Sequence, residues 1–245
     1  MSGFLIHLAA PMMSFGVSSQ FSFRDSHDVP TRSALIGMVA AALGRPRVHS
    51  LNDLRELTFT IRVDREGTPQ VDYHTAGGGY ERNRTIPTAQ GTRKPSGTST
   101  VQSWRHYVSD AAFTVAVEGP ENLIDQAQDA LVRPHWPLFL GRAAFPVTGP
   151  FTVTRIVTNP VDELAKFPVH RPRPRSGHTV TLTYVHHRQM PGGSHTRLHD
   201  EPKSFDPWAR EYEEREEYRT YVEHPVQACT GYGIRWVEAL EFYLH

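Results

Sequence analysis

Four residues near the middle of the chain have the side-chain types that acid–base chemistry on a phosphodiester requires: His74, Arg105, His106 and Tyr107. Metal-free RNA cleavage takes a base for the 2′-hydroxyl proton, an acid for the leaving oxygen and a cation for the phosphorane, and histidine, tyrosine and arginine supply these. On a strand, however, His106 projects to the opposite face from Arg105 and Tyr107, so a composite site has to recruit His74. The same residues suit binding without chemistry. Trp104 and Tyr107 beside guanidinium groups match unstacked bases, each stacked base being worth roughly 1–3 kcal/mol. They also match ordinary packing, since strand aromatics commonly enter a core.

Other chemistries find less support. His195 and His199, with His186 and His187 upstream, have the nearest thing to metal-ligand spacing, but structural zinc favours cysteines and the chain has only Cys229. The turn Pro191, Gly192, Gly193 between them is a poor ligand frame, so neither a metal nor a cofactor is expected. Phosphate-loop, zinc-helix and nucleophile-elbow motifs are absent from the sequence. Glu213, Glu214, Glu216 and Glu217 crowd like charges and suit a solvated face better than an acid–base pair.

The elements that position these residues are legible from periodicity. Residues 3–9 are expected as a strand, and the polar loop after them as irregular. Thr31 or Ser33 caps a helix running to Leu43, with Gly44 as its stop. Arg32 then sits at a helix N-terminus, where unpaired N–H groups favour an anion, and it either completes a phosphate seat or meets a carboxylate such as Asp28. Leu57, Phe59, Ile61 and Val63 alternate with polar residues as a strand with one buried face does. A ribbon follows from 72 to 118. Its first arm is 71–75 and its second arm alternates through Phe113, Val115 and Val117. Between the arms lies a Gly-rich, basic finger with Arg82, Arg84, Arg93 and Lys94, too poor in aliphatic residues to bury a core. Pro120 opens a second helix that Pro134 closes, and the apolar run 136–140 before Gly141 and Arg142 is expected as the next strand.

Strand, helix, strand, strand, helix, strand is the order of a ferredoxin-like antiparallel sheet with both helices on one face, which leaves the other face free for a ligand. After Pro146 two more strands are expected, joined by the basic strap VHRPRPRSG. Residues 200–225 are left between a charged helix and a loop plus strand, and 231–245 form an apolar tail that docks on the domain or on a partner.

The chain has 245 residues and balances 26 basic against 26 acidic side chains, which argues against indiscriminate nucleic-acid binding. The average conceals segregation. From 78 to 108 there are five Lys or Arg and one acid; from 133 to 175, seven and two; from 200 to 217, three and eight. Separate positive and negative surfaces can hold a nucleic acid on one side and a protein on another. The first apolar stretch contains His7 and is too short to span a bilayer, so no membrane association is expected.

The segments FLIHLAAPMMSFG, PTRSALIGMVAAALG, YHT, SWRHYVSDAAFTVAV and RPHWPLFLGRAAFP, in register through residues 1–150, with DEP at 200–202 and SF at 204–205, resemble the CasD family. This is the Cas-five type of RAMP subunit in the type I-E CRISPR Cascade complex. The resemblance fades after Tyr218. It implies an α+β fold, a modified ferredoxin-like (RRM/RAMP) domain over 1–150 with a β-hairpin thumb at about 76–103, and a small β-rich C-terminal subdomain over 151–245. It implies a cytoplasmic, non-catalytic subunit that holds the 5′ handle of CRISPR RNA. Its implied partners are backbone subunits of the Cas-seven type and the large PAM-reading subunit, with target DNA nearby. Arg105 matches the handle-contacting arginine of the W-R-x-Y motif, and Arg32 and Arg142 match further basic positions. With the finger residues Arg82, Arg84, Arg93 and Lys94 and the aromatics Trp104 and Tyr107, these form the expected RNA-binding set. The alternative is the metal-independent, repeat-cutting RNase that the corresponding subunit forms in type I-C systems. A general single-strand RNA-binding protein is disfavoured by the lack of an RNP-type aromatic strand.

Overall fold

The structure is a computed structural model and describes every residue except 21, 89, 98, 99, 149, 150 and 245; three of these lie within the expected thumb. The chain opens with β1 (Gly3–Ala9). The loop after it is less irregular than its polarity suggests, containing β2 (Met12–Met13), β3 (Ser19–Gln20) and β4 (Phe23–Arg24). Helix α1 (Arg32–Ala42) is capped by the Thr31 hydroxyl, which accepts from the Ala34 amide at 3.4 Å. Then come β5 (Thr58–Arg65), β6 (Thr68–Gly77), β7 (Thr100–Ser109), β8 (Ala112–Glu118) and α2 (Glu121–Val132). The remainder holds β9 (Thr152–Val153), α3 (Pro160–Lys166), β10 (Thr179–His186), β11 (Ser194–Ser204), β12 (Glu211–Pro225) and α4 (Ile234–Leu244).

A seven-stranded sheet has the order β11-β12-β10-β5-β8-β1-β9, with antiparallel neighbours throughout. The mixed fold thus has helices packed on an antiparallel main sheet, and three strands from the C-terminal part, β10, β11 and β12, extend the sheet that the N-terminal part begins. Several expectations are corrected. The run 136–140 is not a strand; it is a loop fixed by an isolated bridge between Phe139 and Pro146, and the place beside β1 is taken by the two-residue β9. Of the two readings left open for 200–225, loop plus strand is the one found: the end of β11 and a turn over 205–210 lead into β12, and charges of the β11–β12 hairpin pair across the strands. The ribbon's arms also differ from the sequence reading: β6 pairs with β7, whereas β8 lies between β1 and β5 in the main sheet.

Both faces of that sheet are covered. Phe4, Ile6 and Leu8 of β1, Phe59, Ile61 and Val63 of β5, and Phe113, Val115 and Val117 of β8 meet α1 and α2 in the larger core. Leu5 and Ala116 point the other way, into a second core with Leu164, Phe167, Trp236 and Leu240. The expected free face therefore does not exist: α3 and the tail helix α4 lie over it. What made it look solvent-facing is a set of polar residues that are fully buried and bonded to one another. Arg62 donates from Nε to Asp64 at 2.6 Å and to the carbonyls of Phe167 and Pro168 at 2.7 and 2.8 Å, so it also closes the C-terminal end of α3. Asp64 accepts from the Thr114 hydroxyl at 2.9 Å and from the His170 amide at 3.1 Å. Burial pushes the Asp64 carboxyl up, but the Arg62 guanidinium outweighs this and holds it below the usual carboxylate range.

Candidate nucleic-acid interface

Beyond the turn at Gly67, the β6–β7 ribbon leaves the body and stays paired from Thr68 opposite Ser109 to Gly77 opposite Thr100. Gly67 has φ +72°, and a Cβ there would lie 2.6 Å from the Ser109 carbonyl oxygen, so the turn into the ribbon requires glycine. β4 joins β7 in parallel, Phe23 beside Trp104 and Arg24 beside Arg105. Strand alternation then sorts the ribbon's side chains onto two faces.

One face is aromatic. Tyr73 and Trp104 sit opposite each other with ring centroids 5.4 Å apart, and the Phe23 ring lies 4.6 Å from that of His106. Tyr73, Trp104 and Phe23 are about half exposed, at 52%, 44% and 51%, which is unusual for rings already clustered and gives bases a stacking surface.

The other face is cationic. Arg105 donates from Nε to the Ser103 hydroxyl at 3.1 Å, with Arg24 on the neighbouring strand and Arg142 reaching in from the 136–146 loop. Arg142 donates to the His106 carbonyl at 2.8 Å and lies over the Phe145 ring, which in turn meets Tyr107. Partial burial and then the nearby positive charges of Arg105 and Arg24 lower the Arg142 pKa, with Asp72 and Asp25 opposing. Asp25 is already occupied by the Ser18 amide and hydroxyl. Among the described residues, Arg24, Arg105 and Arg142 form no ion pair, whereas Arg32, Arg55, Arg62, Arg215 and Arg219 all do.

The expected binding set is therefore split. Trp104 faces away from Arg105 and Tyr107, and Tyr107 is half-buried against Phe145. Arg32 is removed from it. Its Nε binds Glu201, its other nitrogens donate to the carbonyls of Leu57 and Arg55 at 2.7 and 2.6 Å, and the anion seat at its amide is filled by Asp200 at 2.7 Å. Asp28 is not its partner and pairs with Arg219 instead. At the ribbon's far end Arg82 and Arg84 lie on a single 3₁₀ turn, and the Thr85 hydroxyl donates to the carbonyls of Arg82 and Lys94. Arg82, Arg84 and Arg93 are exposed and Lys94 is half-buried. The sequence reading missed Arg24 and Phe23, whose loop looked structureless; the only signal was an aromatic–arginine pair repeating the Trp104–Arg105 pattern.

As a catalytic constellation the residues are dispersed. His74 stands opposite Ser103, four residues from Tyr107 along β7, which is roughly 14 Å at 3.4 Å per residue. His106 is on the other face. The four histidines with ligand-like spacing also diverge: His186 bonds Thr220, His187 lies against Phe59, and His195 and His199 lie against Tyr218 and Tyr212.

Residues 3–218 match the CRISPR-associated protein family Cas_Cas5. The CRISPR system Cascade subunit CasD of Escherichia coli (strain K12) is 32% identical in an alignment of 160 positions that covers 60% of this chain and 67% of that protein. A chain of a CRISPR RNA-guided surveillance complex superposes with a TM-score of 0.88 at 41% identity, covering 99% of both chains. A second solved structure, of a Cas protein, gives a TM-score of 0.61 at 25% identity over 93% of this chain and 97% of that one.

Proposed function

This chain belongs to the Cas5 family of CRISPR-associated proteins, and from that premise we propose that it is the non-catalytic, CRISPR-RNA-holding subunit of a type I-E Cascade complex. It grips the 5′ handle of the guide at the root of the β6–β7 ribbon and caps a backbone of Cas-seven-type subunits next to the large PAM-reading subunit, in the cytoplasm. The observation that carries this reading is the group of three arginines without ion pairs, Arg24, Arg105 and Arg142, on one face of a ribbon whose other face offers Phe23, Tyr73 and Trp104. Three guanidinium groups outnumber the nearby carboxylates of Asp72 and Asp25 and pair closely with neither, an excess that a polyanion relieves, and exposed rings are relieved by bases.

In the same reading residues 1–150 are a modified ferredoxin-like RAMP domain. The order β1-β8-β5 and the placement of α1 and α2 on one face support it, with the fourth place beside β1 filled by β9 from just beyond residue 150. Residues 151–245 are then its β-rich C-terminal subdomain, built onto the same sheet, and the thumb is the ribbon with its tip. Arg82, Arg84, Arg93 and Lys94 lie where they can follow the guide outward. The offset of roughly 14 Å along the strand between the positions of His74 and Tyr107 supports a holding rather than a cutting role.

The test is to assemble the complex with Arg105→Ala and with Arg24→Ala/Arg142→Ala. Loss of one charge-assisted contact of about 1.5–3 kcal/mol weakens handle binding roughly 10- to 100-fold. Each lost phosphate contact lowers the salt slope by about 0.7. Guide RNA retained at the wild-type level in both variants overturns the assignment. Incubating the purified chain with repeat RNA and chelator addresses catalysis: specific cleavage that His74→Ala or Tyr107→Ala abolishes would establish the RNase alternative.

A further inference from the structure

The basic strap VHRPRPRSG has no place in the ribbon site, and it borders a separate hollow of about 710 Å³ on the C-terminal part of the molecule. The strap is fastened by its backbone. Val169 bridges Cys229, the Thr230 amide donates to the Val169 carbonyl at 3.1 Å, and the Gly231 amide donates to the Arg171 carbonyl at 2.9 Å. Pro172 and Pro174 fix the backbone between the arginines in an extended form, so little conformational freedom is left to lose on binding.

The hollow is lined by Arg173 from the strap and by Gln227, Thr230, Tyr232 and Arg235 from the segment that leads into α4. Arg173 and Arg235 are both exposed, and among the described residues neither forms an ion pair. The residues that line it carry two charges, Arg173 and Arg235, and no carboxylate; Arg171 and Arg175 flank it on the strap, and the first acid beyond Arg235 is Glu238, three residues on. The buried Cys229 forms part of the lining beside the two arginines. The neighbouring Arg65, 4.6 Å from the Tyr232 ring, is by contrast neutralised by Asp110. A concave, donor-lined surface with uncompensated guanidinium groups and one half-exposed ring is built for a chain of phosphates rather than for bases or an apolar peptide.

We infer that this hollow is a second nucleic-acid seat, which takes the phosphodiester backbone of a strand without reading its sequence. It goes beyond the handle-holding role, since it uses no residue of the ribbon. It adjoins the end of β5 from which the ribbon departs, so it can steady a nucleic acid that runs past the ribbon root.

The full-length protein is titrated by fluorescence anisotropy with labelled 20-nucleotide single-stranded DNA, single-stranded RNA and duplex DNA of unrelated sequence, over a range of salt. Arg173→Ala/Arg235→Ala is expected to weaken at least one probe about tenfold. Losing two contacts lowers its salt slope by about 1.4 for a single strand or 1.8 for a duplex. Arg173→Lys/Arg235→Lys, which keeps the charge, is expected to restore most of the affinity. Guide RNA retention in the assembled complex is expected to be unchanged, which separates this site from Arg105. The probe affected most identifies which nucleic acid the seat takes. Wild-type affinity and slope in the alanine variant for all three probes overturns the inference. So does a variant that binds all three normally and fails only in complex assembly, because the surface is then a protein contact.

Discussion

Arginine serves two opposite ends in this protein, and what stands across from each one decides which. Arg62 is fully buried and closes a network with Asp64, Thr114, His7 and His170, whereas Arg24 and Arg105 look outward with no carboxylate in pairing range among the described residues. Arg32 shows how little a position within its own helix says. The N-terminus of α1 is an anion seat by its geometry, but the anions that fill it, Asp200 and Glu201, lie almost 170 residues away in sequence. The buried network makes a pH prediction. Thr114 donates to Asp64, so the His7 Nδ1–H donates to Thr114, and His7 Nε2 accepts from the His170 Nδ1–H, as assigned from the bonding pattern. Protonating His7 would set two N–H groups against each other. Burial first of all, with His170, Arg62 and Arg65 adding and Asp64 opposing, holds its pKa at about 3, and His170 is held at about 4. Unfolding frees both toward 6.5, so the unfolded chain binds more protons below that pH. Stability is therefore complete above pH 6.5 and falls toward about pH 3, with His7 contributing up to about 1.4 kcal/mol per pH unit. Urea unfolding between pH 7 and 4 checks this: the slope is expected to flatten in His7→Gln, and a flat wild-type profile refutes the neutral pair.

At the scale of elements, local periodicity placed β1, α1, β5, β8 and α2 close to where they lie, because each carries a buried face with a period of its own. It failed at 136–140, where an apolar run belongs to a loop whose backbone bonds are made by Ser14 and Phe145 rather than by a neighbouring strand. It also failed to decide 200–225, since the charges of β11–β12 pair across strands and leave no hydrophobic period to read. The 136–146 loop has a specific dependence on Gly141. Its φ is +95°, and a Cβ there would fall 1.7 Å from the Ser14 carbonyl oxygen. Gly141→Ala is expected to cost at least about 1–3 kcal/mol in urea unfolding. It is also expected to reduce guide retention, because Arg142 follows immediately and its hold on the His106 carbonyl depends on the loop's path. Unchanged stability would show that the loop is not pinned at Ser14.

For the whole molecule, the consequential feature is that one sheet serves two cores. The tail helix α4 is part of the second: Trp236 is 1% exposed and stacks on His170 at 4.4 Å, nearly parallel, with His7 and Phe167 around it. Trp236→Ala is expected to destabilise the protein by about 3–5 kcal/mol. Trp236→Phe is expected to lose less, because the indole N–H is buried without a partner among the described residues. Equal stability of the alanine variant in urea would mean that the tail does not close this face. Among the described residues no helix is long and apolar enough to cross a membrane. The sequence by itself determined β1, α1, β5, β8 and α2, the basic finger near Arg105 and the family, because propensity, periodicity and motif are properties of neighbouring residues. Only the tertiary structure decided which arginines stay unpaired, which side of the ribbon each ring takes and that the polar sheet face is interior. Those depend on partners brought together from distant parts of the chain, and no local pattern encodes the distance between them.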